Sequence, residues 1–286
     1  MTQVKALVVT GYGTNCERET AYTCRIAGAD QTVIAHFADL VQETVSLADF
    51  NFLIFPGGFL DGDHLGAAQA AASRFKHTRT RSGRSLVQDI ADVHSRGGVI
   101  LGICNGFQLL VKLGLLPATR EQSLTREVSL GPNDSARFED RWVYLKPNPD
   151  SPCVFTAGLD TLYFPVRHGE GKVIAKDQAT LHEMQNSNHI ALQYTDASGA
   201  VTEKYPDNPN GSELSVAGLT DSTGRIFGLM PHPEAYNHAT NHPRWTRKEQ
   251  SAQGSVLFSN AVNYLRSTID GPLTKSLWAS KNAFTP

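Results

Sequence analysis

The 286-residue sequence predicts an α/β fold, a doubly wound, mostly parallel sheet with flanking helices and an antiparallel extension. Two observations carry the prediction. As far as Leu113 the chain alternates short apolar runs with amphipathic stretches, the pattern of parallel strands joined by crossover helices. From about Val128 onward, short strand candidates follow one another between turn residues, as antiparallel pairing requires.

Residues 4–10 read as a buried strand that ends at Gly11 and Gly13. Thr14-Asn15-Cys16-Glu17 fits a capping box for a helix running to Gly28, and Cys16 reads as a structural residue of that helix start. Residues 31–37, 51–55 and 98–103 supply three more strands, and 86–95 and 105–113 two more helices. The basic run 74–84 (RFKHTRTRSGR) reads as a solvated surface loop, with a partner or phosphate contact as the alternative. Later strands are expected at 142–146, 162–166, 172–175 and 190–194. Asp221-Ser222-Thr223-Gly224 forms a hairpin turn into a strand at 225–230. Helices are expected at 177–186 and 254–267. No linker, repeat or low-complexity tract divides the chain, so residues 1–286 read as a single domain.

Composition narrows the function classes. Lys and Arg total 26 against 28 Asp and Glu, and a net charge of −2 gives no reason to expect nucleic acid or an anionic membrane surface. No apolar run approaches the ~20 residues of a membrane span. The N-terminus lacks the features of a signal peptide. Cys16, Cys24, Cys104 and Cys153 show no paired spacing and read as reduced thiols, which points to the cytoplasm. His182, His189, His238 and His242 fit no standard metal-ligand spacing, and no metal site is expected.

Three segments carry chemistry. Gly102-Ile103-Cys104-Asn105-Gly106 joins an apolar strand to a helix, the cysteine counterpart of a nucleophile elbow. A helix N-terminus beneath Cys104 favours thiolate, although a buried cysteine in a Gly-rich turn has the same local appearance. Met230-Pro231-His232-Pro233-Glu234 follows a strand and offers a base with an orienting carboxylate, since alternate residues of an extended segment share a face. A surface turn is the plainer reading of those five residues alone. Pro56-Gly57-Gly58 ends a third strand, where it serves either as a tight turn or to aim a backbone N–H at an oxyanion beside that of Asn105.

Taken in order, P-G-G, G-x-C-x-G-F-Q and P-H-P-E resemble the class I, triad-type glutamine amidotransferases, with their flavodoxin-like fold. Within them the resemblance is to the glutaminase subunits of phosphoribosylformylglycinamidine synthase. It rests on GTNCERETA (13–21), GICNGFQLL (102–110), PVRHGEG (165–171), DNPNGS (207–212) and GLMPHPE (228–234). The resemblance implies Cys104 as nucleophile, His232 as base and Glu234 as its orienter. It also implies oxyanion N–H groups from Gly58 and Asn105 and a contact from Gln108 to bound glutamine. His168 and Gly169 would line the glutamine pocket or a subunit interface. The implied partner is a large synthase subunit, with or without a further small one. That partner would take the ammonia and convert formylglycinamide ribonucleotide to the amidine, using its own ATP and magnesium. No phosphate-binding G-x-x-x-x-G-K-[ST] occurs, so no cofactor is assigned to this chain. Two departures stand out: Ala235 replaces the Arg that usually follows P-H-P-E, and the chain is longer than compact members of the family through the basic insert at 74–84 and a tail at 236–254. Rival readings are a glutaminase serving another amidotransferase, a non-catalytic regulatory subunit, and an elbow-cysteine hydrolase that would lack P-H-P-E.

Overall fold

The structure, a computed structural model, describes residues 3–119, 124–247 and 251–268. Among these residues eleven strands form two sheets. In chain order they are β1 (Lys5–Thr10), β2 (Gln31–His36), β3 (Phe52–Phe55), β4 (Val99–Ile103), β5 (Val128–Pro132), β6 (Glu139–Pro147), β7 (Leu162–His168), β8 (Glu170–Ala175), β9 (Ile190–Thr195), β10 (Val216–Thr220) and β11 (Ile226–Leu229). The main sheet runs β2-β1-β3-β4-β11-β10-β9-β6-β7. Its first five strands are parallel and the remaining four pair antiparallel.

The helices among the described residues are α1 (Glu17–Ile26), α2 (Phe37–Val41), α3 (Gln69–His77), α4 (Leu86–Ser95), α5 (Asn105–Leu113), α6 (Gln178–Asn186) and α7 (Val256–Thr268). Strands β3, β4, β10 and β11 are buried along their whole length, which is why β3, β4 and β11 read as continuous apolar runs; β10 was not read from the sequence. One contiguous cluster of buried side chains extends from Val4 to Leu265 and includes Leu53, Leu101, Phe107, Phe227 and Phe258. Among the described residues no helix is long and apolar enough to cross a membrane.

The doubly wound sheet and its antiparallel extension match the expectation from sequence, with four corrections. The capping box at Thr14–Glu17 does not form: Cys16 occupies the N-cap without a side-chain bond. Thr14 instead accepts the Gly11 N–H at 3.2 Å, because it closes the turn after β1. The basic run is a solvated loop only in its second half, where Arg79 and residues 81–84 are exposed. Its first residues complete α3, where Phe75 is fully buried and the Arg74 guanidinium sits 3.9 Å over the Phe37 ring and 2.8 Å from Asp61. Arg84 donates to Asp89 at 2.7 Å and to Asp92 at 3.0 Å, tying the segment to α4. The strand expected at 172–175 does not extend the main sheet but pairs with β5 in a separate two-stranded one. Helix α2 was not read from the sequence; five residues are too few to show a helical period.

At the carboxyl edge, α5 approaches the sheet closely because glycine lines the contact. A Cβ on Gly106 would lie 1.8 Å from the Phe55 carbonyl oxygen, and one on Gly228 would lie 2.1 Å from the Phe107 ring. Backbone cannot retreat from such an overlap as a flexible side chain can, so Gly106→Ala must push α5 off β3. We expect this substitution to cost about 1–3 kcal/mol or more in urea unfolding. An unchanged unfolding free energy would contradict the packing described.

Candidate active site

All five parallel strands end at one edge of the sheet, and β7 ends there too, since two antiparallel reversals restore its direction relative to β9. The loops after β1, β3, β4, β7 and β11 therefore meet, as ligand-binding loops do beyond the carboxyl ends of an open α/β sheet.

The register of β4 on β11 brings the two main motifs together. Gly102 pairs with Gly228 and Ile103 with Leu229, and the Cys104 N–H donates to the Leu229 carbonyl at 2.7 Å. The chain then turns sharply at Cys104, whose φ of 50° and ψ of −105° mark the strained elbow between strand and helix. Its sulfur lies 3.6 Å from the Arg167 carbonyl oxygen. On the neighbouring strand the chain continues through Pro231 to His232, whose N–H donates to the Pro165 carbonyl of β7 at 2.8 Å. Nδ1 of His232 is 2.6 Å from Glu234 Oε1, and both side chains are buried. A carboxylate accepting at Nδ1 leaves Nε2 as the nitrogen for proton exchange. That Nε2 is buried without a hydrogen bond of normal geometry, while the Cys104 thiol acts on the ring electrostatically.

The electrostatics of the two histidines here differ in sign. Burial of His232 opposes its charged form, but Glu234, followed by Cys104, outweighs this and holds the imidazole well above its ordinary pKa. His168 has no such carboxylate. Burial, followed by the charge of His232, pushes it down to about 3. Its Nδ1 is 3.0 Å from Asn133 Oδ1, and its Nε2 is buried without a partner.

Gly58 takes a backbone position that only glycine can occupy: its φ is +142°, and Gly13 and Thr14 lie 2.7 Å from where a Cβ would be. The bridge between Thr14 and Gly58 uses the N–H groups of Phe59 and Asn15, which donate to the carbonyls of Gly13 at 2.7 Å and Gly57 at 3.4 Å. The Gly58 N–H stays outside that pairing. Asn105 begins α5, so its N–H is one of the helix-start donors with no intrahelical acceptor.

Two expectations change. Gln108 is not aimed at a ligand: it is 3% exposed, its Oε1 accepts from Asn105 Nδ2 at 3.0 Å, and its Nε2 donates to the Glu170 carbonyl at 2.8 Å. Asn105 Oδ1 in turn accepts the Leu60 N–H at 2.9 Å, so the two amides brace the glycine loop, the elbow and β8 together. His168 is buried beside His232 rather than at a surface, and Gly169 turns the chain from β7 to β8 with its carbonyl accepting the Asn133 N–H at 3.0 Å. DNPNGS supports the same region, with Asn210 donating to the Gly171 carbonyl at 2.9 Å and Ser212 accepting the Val173 N–H at 2.9 Å.

Sequence reasoning missed Cys16. Its sulfur reaches into the site, 4.0 Å from His232 Nδ1, and burial raises its thiol pKa. Ligand atoms of Cys16, His232 and Glu234 all lie within 4.8 Å of one another. The four histidines weighed earlier do not assemble: His189 approaches the Pro117 carbonyl, and His238 caps a short 3-10 turn (Ala239–Asn241). His242 stacks against Trp142 and Tyr163 in the tail.

The family of the CobB/CobQ-like glutamine amidotransferase domain matches residues 3–265. The chain belongs to that family. It is 41% identical to the phosphoribosylformylglycinamidine synthase subunit PurQ of Dehalococcoides mccartyi, over 93% of this chain and 99% of the relative. It is 40% identical to the PurQ subunit of Methanococcus maripaludis, over 91% and 97%. A solved structure of PurLQS from Thermotoga maritima has a chain of the same fold, with a TM-score of 0.66, 28% identity, and coverage of 92% of this chain and 100% of that one. The resemblance drawn from the motifs is thus borne out.

The depressed pKa of His168 has a consequence for stability. Between about pH 3 and 6.5 the unfolded chain takes up a proton that the native histidine refuses, so this contribution is complete above about 6.5 and is lost as pH falls toward 3. His168→Gln removes it. Urea unfolding at about pH 7 and about pH 4.5 should therefore show a larger stability loss in the unsubstituted protein than in the variant. Equal losses would contradict a buried neutral His168.

Proposed function

We propose that the chain, acting as one glutamine amidotransferase domain, hydrolyses glutamine to glutamate and ammonia. The ammonia goes to a larger synthase subunit that converts formylglycinamide ribonucleotide to formylglycinamidine ribonucleotide in purine biosynthesis. The observation that carries the reading is the meeting of Cys104, His232 and Glu234 at the carboxyl edge of β4 and β11, in a chain so similar to PurQ subunits.

In this mechanism the Cys104 thiolate attacks the side-chain carboxamide carbon. The developing oxyanion is stabilised by the N–H groups of Gly58 and Asn105, aided by the N-terminus of α5. His232, oriented by Glu234, gives a proton to the departing nitrogen and leaves a glutamyl thioester on Cys104. Water then attacks the thioester carbon, His232 takes its proton, and the thiolate departs. Gln108 and Asn105 support the reaction from behind through their side-chain amides, which keep the glycine loop and the elbow in register. His168, neutral beside His232, keeps a second positive charge out of the site.

ATP and magnesium belong, on this reading, to the synthase partner, and a further small subunit completes the assembly, as the PurLQS name suggests for the relative from Thermotoga maritima. Cytoplasmic residence follows from such a role and from the scattered reduced cysteines. Removing the nucleophile should abolish one nitrogen source and leave the other. In the complex reconstituted with the synthase, Cys104→Ala should lower glutamine-dependent synthesis at least ~10³-fold and leave ammonium-dependent synthesis in place. Retention of glutamine-dependent synthesis would refute the assignment.

A further inference from the structure

The mechanism gives Cys16 no task, yet its sulfur belongs to the same cluster as the catalytic base. Three atoms of different donor chemistry converge: a thiol sulfur, an imidazole nitrogen 4.0 Å from it, and a carboxylate oxygen 2.6 Å from that nitrogen. The second carboxylate oxygen, Glu234 Oε2, is buried without a hydrogen-bond partner, although Glu234 is only 1% exposed. Cys16 is partly exposed, whereas His232 and Glu234 are buried, so the cluster opens to solvent on the cysteine side.

We propose that Cys16, His232 and Glu234 form a zinc-binding site whose occupation switches the glutaminase off. Thiolate, imidazole and carboxylate together match zinc rather than magnesium or calcium, which take oxygen ligands alone. Tetrahedral zinc, with bonds of about 2.3 Å to sulfur and about 2.0 Å to nitrogen and oxygen, sets sulfur and nitrogen about 3.5 Å apart and nitrogen and oxygen about 3.3 Å apart. The sulfur–nitrogen and nitrogen–oxygen separations need to change by about 0.5 and about 0.7 Å, and the sulfur–oxygen separation, within 4.8 Å here, has to close toward about 3.5 Å, which side-chain rotations supply. The three protein ligands leave a fourth position for water.

The protons account for the inhibition. Zinc replaces the proton on Cys16 and the proton that Nδ1 shares with Glu234, and both pass to solvent; nothing is oxidised or reduced. Starting from the imidazolium, the ring keeps its other proton on Nε2; with Nδ1 held by zinc, giving that proton to the departing nitrogen would leave an anionic ring, so the proton transfers of the reaction are blocked. The inhibition rests on the catalytic reading above, whereas the metal site does not.

The test is a zinc titration against a chromogenic chelator on the full chain and three variants, repeated with cobalt as a coloured stand-in. The unsubstituted chain and Cys104→Ala should bind zinc equally, with a thiolate-to-cobalt charge-transfer band in both. Cys16→Ser should lose the band, and both it and Glu234→Gln should bind zinc at least ~10-fold more weakly. Zinc should also suppress glutamine hydrolysis by the unsubstituted chain, and a chelator should restore it. Loss of binding in Cys104→Ala would place the metal on the nucleophile and overturn the proposal, as would undiminished binding in Cys16→Ser. If zinc binds as expected while Cys104→Ala still hydrolyses glutamine, the catalytic reading fails and the metal site stands.

Discussion

The parallel pairing of β4 with β11 joins two segments far apart in the chain, and the active-site geometry depends on it. A one-residue slip would turn every side chain of β11 to the opposite face and carry His232 away from Cys104. Several features hold this register: the Cys104 N–H on the Leu229 carbonyl, the glycines at Gly102 and Gly228 that let α5 sit on both strands, and the burial of both strands along their length. From β7, the Pro165 carbonyl takes the His232 N–H and the Arg167 carbonyl lies beside the Cys104 sulfur. The antiparallel half of the sheet is therefore part of the site as well as an extension of it.

Burial gives this site its properties and also imposes its costs. His232 and Glu234 form a charged pair inside the protein, which is tolerable only with a short hydrogen bond between them and a sulfur nearby to share the field. His168 lies close enough to feel His232 and cannot afford a charge of its own, so it stays neutral against Asn133. The strained backbone at Cys104 is held from two sides, by the strand pairing below and by the Asn105–Gln108 amide chain above. Cys16 occupies the one partly exposed position in its cluster with His232 and Glu234.

Much of this was legible in the sequence, because it is written in local patterns. The continuous apolar run at β4 and the glycines around Cys104 show a strand, an elbow and a helix, and α4 and α5 occur at the expected residues. His232 and Glu234 were legible because an extended chain puts alternate residues on one face. The misses are long-range. Cys16 is the helix start it was read as, but no local pattern reveals that its sulfur, in a loop after β1, faces a histidine after β11. Gln108 was expected to face a ligand, yet its amide is taken up by Asn105 and the Glu170 carbonyl, a contact that depends on where β8 lies. The charge of the run from Arg74 to Arg84 hid the buried face of α3, where Phe75 packs among Phe37 and Phe55.

Two thiols near one imidazole make the identity of the nucleophile the central question, and covalent labelling addresses it most directly. The full chain is treated with an electrophilic analogue of glutamine, digested, and the modified peptides are identified by mass spectrometry. The structure predicts one adduct, on Cys104, whose formation is prevented by excess glutamine. An adduct on Cys16 with Cys104 unmodified would contradict the account.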